Sequence, residues 1–66
     1  MQGAIADFEQ VAELDPEHAS AHYYLGLCYT NTAETSQAKA HLHRFLELAP
    51  DDSNAAAARE MLKYLE

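Results

Sequence analysis

The chain has 66 residues, and its 11 Asp and Glu residues against four Lys and Arg residues give a net charge of −7. Phosphate binding needs Lys and Arg to displace counterions, so this charge argues against nucleic acid as a partner. A basic protein or peptide is more compatible, and acidity that serves only solubility is the alternative.

The composition also argues against a membrane protein and against a disulfide framework. No apolar run approaches the roughly 20 residues that span a bilayer, and Cys28 is the single cysteine. A chain of this size buries only about 60% of its extended surface on folding. We therefore expect a soluble piece of a longer protein. The sequence does not define its compartment, and the cytoplasm is the default expectation.

The first predicted helix covers residues 2–14. Its apolar side chains recur at the spacing of an amphipathic helix, and one face carries Ala4, Phe8, Val11 and Ala12. The segment Asp15-Pro16-Glu17 then predicts a corner, because Pro at a first helical position loses no needed hydrogen bond. Asp15 is the predicted N-cap of the next helix, since its carboxylate can accept from free N–H groups.

The second predicted helix covers residues 17–31. Its apolar stripe consists of Ala21, Leu25, Cys28, Tyr29 and Thr32, with Gly26 beside it. Gly in a helix interior costs about 1 kcal/mol relative to Ala, so its presence needs a reason. We predict that a paired helix approaches closely at Gly26.

Two further helices are predicted over residues 36–48 and 53–65. Capping oxygens are expected from Thr35-Ser36 and from Asp51-Asp52-Ser53. The apolar stripes consist of Ala38, Leu42, Phe45 and Leu46 in the third helix, and of Ala58, Met61, Leu62 and Leu65 in the fourth. Polar residues on the other side of the last helix suit the end of a helical stack.

The first and third helices repeat each other at a spacing of 34 residues. This shift pairs Pro16 with Pro50, Ala4 with Ala38, Ala6 with Ala40, Phe8 with Leu42, Val11 with Phe45, Glu13 with Glu47 and Leu14 with Leu48. A fixed period in this range is typical of stacked helical units. Between the copies stand Leu25-Gly26 and, three residues later, Tyr29. This pattern resembles the tetratricopeptide repeat, a helix-turn-helix unit of about 34 residues.

The resemblance implies an all-α fold, an antiparallel helix-turn-helix repeat array that forms a fragment of an α-solenoid. Residues 1–66 would form a single domain. Within it, residues 2–14 would be the second helix of a preceding repeat, residues 17–48 one complete helix pair, and residues 53–65 a C-terminal capping helix.

Two positions depart from the family pattern. His22 stands where the family usually has a bulky aromatic residue, and Ala33 stands where the turn between the paired helices usually has Gly. Either Ala33 takes a strained left-handed conformation, or Asn31 ends the helix instead.

No residue pattern predicts catalysis, a cofactor or a metal, and we expect a protein that is not an enzyme. His18 and His22 are spaced so that both imidazoles could reach one metal, but two histidines without further ligands do not make a site. His41 and His43 point to different helix faces. Cys28 lies in mid-helix on the apolar stripe, so we expect a buried small residue instead of a nucleophile.

In proteins that this chain resembles, the first helix of each repeat lines a concave groove that receives a peptide or a partner's helix. Carried onto this sequence, the groove comprises Ser20, Tyr23, Tyr24, Leu27, Thr30, Asn31, Asn54 and Ala57. Tyr23, Leu27 and Asn31 follow each other at four-residue intervals, so we expect one exposed row outside the buried stripe. Tyr23 and Tyr24 are the expected anchors. Packing of Tyr24 against the neighbouring first helix is an equal alternative.

The resemblance therefore implies a protein-protein interaction module, part of a scaffold or adaptor, that holds a peptide or partner segment in a concave groove. The alternative is a structural segment of a longer superhelix, or a self-association element with no ligand of its own. We expect a monomer, or a weak homodimer through an exposed first helix. Exposed outer sides of Ile5 and Phe8 would favour this alternative. A grip on a partner's terminal carboxylate is not expected, because the second helix has no Lys or Arg.

Overall fold

The computed structural model describes residues 2–66, which form four helices joined by short turns. The helices are α1 (Gln2–Leu14), α2 (Ala19–Asn31), α3 (Thr35–Leu48) and α4 (Ala55–Leu65). Each helix packs against the next one along the chain. The predicted all-α array of four helices is confirmed. None of the helices in this part of the chain is both long enough and apolar enough to cross a membrane.

The corner between α1 and α2 is longer than predicted, and a different residue caps α2. The N–H of His18 donates to the carbonyl of Asp15 (3.0 Å), and Asp15 Oδ1 accepts from the N–H of Glu17 (3.3 Å). α2 starts at Ala19, and His18 Nδ1 accepts from the N–H of Ala21 (3.1 Å). The prediction of Asp15 as N-cap was wrong, because its carboxylate bonds within the turn and the free N–H group of α2 meets His18.

The starts of the other two helices also differ from the predicted boundaries. α3 begins one residue earlier, with Glu34 at the N-cap position, so the expected capping pair Thr35-Ser36 lies inside the helix. α4 begins two residues later, after Asn54 at its N-cap. Asp52 Oδ1 accepts from the N–H of Asn54 (2.8 Å), so this predicted capping oxygen stabilises the turn that precedes the helix.

The turn between α2 and α3 uses a non-glycine residue in the left-handed region. α2 ends at Asn31, and Ala33 has a φ of 62°. The N–H of Ala33 donates to the carbonyl of Thr30 (3.2 Å), and the N–H of Glu34 donates to that of Tyr29 (2.8 Å). Together these bonds form a Schellman motif, whose left-handed position favours Gly. Of the two alternatives considered from the sequence, the first therefore holds: Ala33 takes the strained left-handed conformation, and Asn31 is the last helical residue of α2.

The core consists of two apolar clusters that share α2 and α3. The first cluster joins these helices to α4 through Tyr23, Leu42, Phe45, Ala58 and Leu62. The second cluster contains Leu25, Tyr29 and Ala38, and α1 packs against it through Ile5, Phe8 and Ala12. Because each cluster takes side chains from three or more helices, no pair of helices forms a complete core by itself.

α1 and α3 carry the same apolar pattern but differ in burial. Phe45 is 1% exposed, whereas its repeat equivalent Val11 is 37% exposed. Leu42 is fully buried, whereas its equivalent Phe8 is half-buried. α3 packs between α2 and α4, while α1 packs chiefly against α2. The number of neighbouring helices therefore decides how much of the same pattern is buried.

Candidate functional site

The residues predicted to line a groove lie mainly on α2, and most of them are accessible. Five of them are exposed: Ser20, Tyr24, Asn31, Asn54 and Ala57. Leu27 and Thr30 are half-buried, and Tyr23 is buried. Four of them share one face of α2 at helical spacing, and we call this face the α2 row: Ser20, Tyr24, Leu27 and Asn31. The hydroxyl of Thr30 donates to the carbonyl of Gly26 (2.7 Å) at the edge of the row.

Tyr23 lies in the core, so the prediction that it belongs to an exposed row was wrong. It is only 9% exposed, and the centroid of its ring lies 5.0 Å from that of Phe45. It shares an apolar cluster with Ala58 and Leu62 of α4. In an isolated pair of α2 and α3 this face would meet solvent, but α4 covers it. The periodicity of α2 cannot reveal this burial, because the covering helix comes from elsewhere in the chain.

Tyr24 is the aromatic residue of the α2 row. Its residue is 43% exposed, and its ring stacks on Phe8 of α1 with centroids 5.1 Å apart and an interplanar angle of 21°. Tyr23 contacts the Tyr24 ring edge-on, with ring centroids 5.6 Å apart. Tyr24 thus packs on the neighbouring helix and still presents part of its ring to solvent. Two aromatic neighbours restrict its motion, so a contact to this ring would cost little side-chain entropy.

The charges around the α2 row lie at its ends. α2 itself contains no Asp, Glu, Lys or Arg. Exposed carboxylates flank the helix, with Glu17 before it and Glu34 after it, and Asp51 and Asp52 precede α4. Asn54 and Ala57 lie at the start of α4, next to Ala58 of the cluster that α4 shares with Tyr23. The accessible surface is therefore neutral and partly aromatic at its centre and acidic at its margins.

A cleft lies on another face of α2, between α1 and α3. This open cleft has a volume of about 410 Å³, and it is lined by Glu9, Ala12, Glu13, His22, Leu25 and His41. His22 and Leu25 precede Tyr24 and Leu27 by two residues each, which turns the helix by about 200°. The cleft and the α2 row therefore face in roughly opposite directions. The cleft was not predicted from the sequence. The departure of His22 from the family pattern is the signal that could have indicated it.

His22 and His41 are joined by a hydrogen bond within the cleft. Their Nδ1 atoms are 3.0 Å apart, and His22 Nε2 lies 2.8 Å from the carbonyl oxygen of Pro16. A carbonyl oxygen can only accept, so Nε2 of His22 carries a proton. When His22 is neutral, its Nδ1 is then the acceptor, and Nδ1–H of His41 is the donor. The hydrogen-bond partners thus assign a tautomer to both imidazoles.

Tyr29 and Glu9 connect α2 to α1 beside this pair. The Tyr29 hydroxyl donates to the Glu9 carboxylate, and the Tyr29 ring stacks on His41 with centroids 5.7 Å apart. The bond to Glu9, with burial and the charge of this carboxylate, raises the pKa of Tyr29 to about 12. Burial and the neighbouring His22 lower the pKa of His41, and the charge of Glu9 opposes this shift. Polar side chains therefore connect α1, α2 and α3 across the cleft.

The other residues considered as metal ligands or as a nucleophile have separate roles. His18 caps α2, and His43 Nε2 lies 3.2 Å from Glu66 Oε2 at the surface. Cys28 is buried in the middle of α2, as expected. His22 bonds to His41, so the sequence neighbour His18 is not its partner. Across residues 2–66, no three His, Cys, Asp or Glu side chains are placed to hold a metal ion together.

Comparison with protein families gave a match that covers nearly the whole chain. The family model described as tetratricopeptide repeat matches residues 1–62. Comparison with curated proteins and with solved structures gave no significant match. The matched span includes α1, α2 and α3, whose stacked arrangement agrees with the fold implied by the sequence motifs. The chain therefore belongs to the tetratricopeptide repeat family.

Proposed function

We propose that this chain binds an extended segment of a partner protein along the α2 row. Tetratricopeptide repeats are in general protein-protein interaction modules. The observation that carries the proposal is the state of Tyr24, whose ring is 43% exposed and yet held by Phe8 and Tyr23. Preorganised aromatic residues are frequent hot spots of binding energy. Tyr24 therefore replaces Tyr23 as the proposed anchor, because Tyr23 lies in the core.

The proposed partner segment combines an apolar side chain with basic residues. Tyr24 and the half-buried Leu27 provide apolar contact area, and Asn31 provides an amide at the end of the row. Lys or Arg of the partner would meet the carboxylates that flank α2, in keeping with the net charge of −7. Asn54 and Ala57 extend the proposed surface onto α4. Attraction of this kind speeds association and weakens as salt is added.

Binding can be tested with an array of short peptides of two matched kinds. One set contains Lys or Arg beside an aromatic or aliphatic residue, and the other has Glu at the basic positions. We expect binding from the basic set alone, with shifts of amide NMR signals along the α2 row. Tyr24→Ala should weaken the binding about tenfold or more, as expected for a hot-spot residue. Binding of both sets alike, or signal shifts confined to the cleft, would contradict the proposal.

The control variant for this experiment is Tyr64→Ala. Tyr64 is 84% exposed on α4 and is not a residue of the α2 row, so its removal tests whether the loss of any exposed aromatic ring weakens binding. We expect affinity equal to that of the parent chain. Equal losses from Tyr24→Ala and Tyr64→Ala would mean nonspecific adhesion of peptides to exposed rings.

A second candidate function is structural, in which α1 stacks on a further helix or on a second copy of the chain. Val11 is 37% exposed and Leu14 81% exposed, whereas their repeat equivalents Phe45 and Leu48 are buried and half-buried. A helix placed on α1 as α2 is placed on α3 would cover both side chains. Exposed apolar surface of this kind favours association. The structural role does not compete with the α2 row, because the two use different surfaces.

Light scattering over a range of concentrations tests the self-association form of this second function. We expect the average mass to rise with concentration in the parent chain. Leu14→Ser should shift the rise to higher concentration, since it removes an exposed apolar side chain without touching the core. A mass that stays at that of a single chain throughout would exclude self-association through α1. The sequence analysis took exposure of Ile5 and Phe8 as the sign of this second function. Both side chains are half-buried, so their burial favours neither function.

A further inference from the structure

His22 connects three parts of the fold through one buried imidazole. The residue is 8% exposed, its Nε2–H donates to Pro16 in the corner between α1 and α2, and its Nδ1 faces His41 on α3. The two ring centroids are 5.3 Å apart, and the ring planes differ by 27°. With 3.0 Å between the two Nδ1 atoms, the rings meet nitrogen to nitrogen. This geometry aligns one N–H with one lone pair.

Only one proton fits between the two nitrogens. In the neutral pair, His41 donates through Nδ1–H and keeps an unprotonated Nε2. A first added proton can therefore bind to Nε2 of His41 and leave the hydrogen bond intact. A second added proton must bind to Nδ1 of His22, since its Nε2 already carries one. Two N–H groups would then face each other at 3.0 Å, and the hydrogen bond would be lost.

The carboxylates and the aromatic ring around the pair determine which imidazole moves when the hydrogen bond between the two histidines is lost. Glu9 and Glu13 of α1 line the same cleft, and Tyr29 of α2 stacks on the His41 ring. The two carboxylates attract a charged imidazole. His22 is buried in α2, whereas His41 is only partly buried. His41 is therefore the side chain that can rotate away, towards the carboxylates of the cleft.

We propose that His22 and His41 form a proton-operated latch, which links α3 to the corner between α1 and α2 and opens in acid when both imidazoles are charged. Opening removes a polar link but leaves the apolar seam between Gly26 and Leu42. The fold should therefore loosen beside α1 without unfolding. The latch does not depend on the proposed partner binding, because the α2 row lies on another face of α2.

The direction of the pH effect follows from the sign of the shift at His41. Its pKa is lowered in the folded state, so the folded chain binds this proton less tightly than the unfolded chain does. The contribution of the pair to stability is therefore fully present above the ordinary histidine pKa of about 6.5. It is lost as the pH falls below that value.

NMR spectra of the histidine ring nitrogens test the latch in the intact chain. At neutral pH we expect His22 as the Nε2–H tautomer and His41 as the Nδ1–H tautomer. As the pH falls, the His41 signals should change below the ordinary histidine pKa of about 6.5, because burial and the neighbouring His22 lower the pKa of His41. Finding the Nδ1–H tautomer at His22, or a pKa of His41 at or above the ordinary histidine value, would overturn the proposal.

The variant His41→Asn separates the latch from ordinary acid denaturation. Its amide can donate from nearly the position of Nδ1–H, but it does not titrate between neutral and mildly acidic pH. The parent melting temperature should fall by several degrees over this range, and that of His41→Asn should fall by less. His43→Gln, at an exposed histidine of the same helix, should follow the parent. An equal fall in the parent and in His41→Asn would show that the pair is no switch. If His41→Asn does not fold, the tautomers of both rings and the pKa of His41 in the parent chain decide the question.

Discussion

Gly26 of α2 lies directly against Leu42 of α3, so closely that a β-carbon on Gly26 would stand 2.6 Å from two side-chain atoms of Leu42. Real β-carbons do not approach other atoms this closely, and Leu42 is fully buried and cannot easily move aside. The close approach predicted from the presence of Gly inside a helix is therefore confirmed. It explains why α2 accepts a residue with poor helix propensity at this position.

Substitution of Gly26 should destabilise the fold in proportion to the size of the new side chain. We expect Gly26→Leu to lower the free energy of unfolding by about 1–3 kcal/mol, the usual cost of overpacking. Gly26→Ala should cost less, because it adds a single carbon atom and the gain of about 1 kcal/mol in helix propensity offsets part of the clash. Urea denaturation measures both. At Gly3 an added β-carbon meets no atom within 4 Å, so Gly3→Ala is the matched control and should not be destabilised. A midpoint of Gly26→Leu equal to that of the parent would refute the close-approach explanation.

The left-handed residue of the turn offers a site for stabilisation. Ala33 has a φ of 62°, in a region that costs a residue with a β-carbon about 1–2 kcal/mol. Ala33→Gly should therefore raise the free energy of unfolding, by about 1 kcal/mol after the greater freedom of Gly in the unfolded chain is deducted. The control is Ala40→Gly, at an exposed position inside α3, which should cost about 1 kcal/mol. Thermal melts compare the two, and changes of the same sign would contradict the strain at Ala33.

The two adjacent tyrosines of α2 should respond differently to truncation. Tyr23 packs between α3 and α4, so Tyr23→Ala should cost about 3–5 kcal/mol, as other large aromatic truncations in cores do. Tyr24 is only partly covered, and Tyr24→Ala should cost clearly less. Circular dichroism during denaturation measures both losses. Equal stability of the two variants would show that α4 does not cover Tyr23 in solution.

The bond between Tyr29 and Glu9 should appear as a loss of stability in alkali. The pKa of Tyr29 is raised from 10.0 to about 12, so the folded state favours the neutral phenol. The stability due to this bond is fully present below pH 10.0 and is lost as the pH rises through about 12. Tyr29→Phe should be about 1 kcal/mol less stable at neutral pH, the typical value of one hydrogen bond, and should lose less in alkali.

Absorbance of ionised tyrosine and parallel melts provide the measurement for Tyr29. Tyr64→Phe is the control, because Tyr64 is 84% exposed and should leave the alkaline transition unchanged. If Tyr29→Phe loses as much stability in alkali as the parent and Tyr64→Phe do, the bond to Glu9 does not cause the alkaline loss of stability.

Much of the backbone could be predicted because its signals are local. Corners at Pro16 and Pro50 and the periodic apolar stripes follow from contacts within one or two helical turns. The spacing of 34 residues between repeats is found by aligning the sequence with itself. The helix starts were less predictable, since several residues near each corner can cap a helix. At the start of α2, His18 and not Asp15 accepts the free N–H group. That choice depends on the path of the backbone through the turn, and the capping preferences of single residues do not predict this path.

The candidate surfaces were harder to predict because they depend on neighbours distant in sequence. The α2 row was identified, but Tyr23 was placed on it, because helical periodicity does not show that α4 lies over that residue. The pairing of His22 with His41 was missed, since 19 residues separate them and their nearest histidine neighbours in sequence, His18 and His43, suggested other pairs.

The sequence by itself determined the family, the four helices and the requirement for Gly at the α2–α3 seam, because each is encoded in local periodicity and spacing. Only the tertiary structure decided which residues with the same pattern are buried and which polar groups meet. Burial is a property of the space between helices, so Phe45 is enclosed while its repeat equivalent Val11 is open to solvent. Hydrogen bonds require contact within about 3 Å, and only the packing of α3 against α2 brings His41 within that distance of His22.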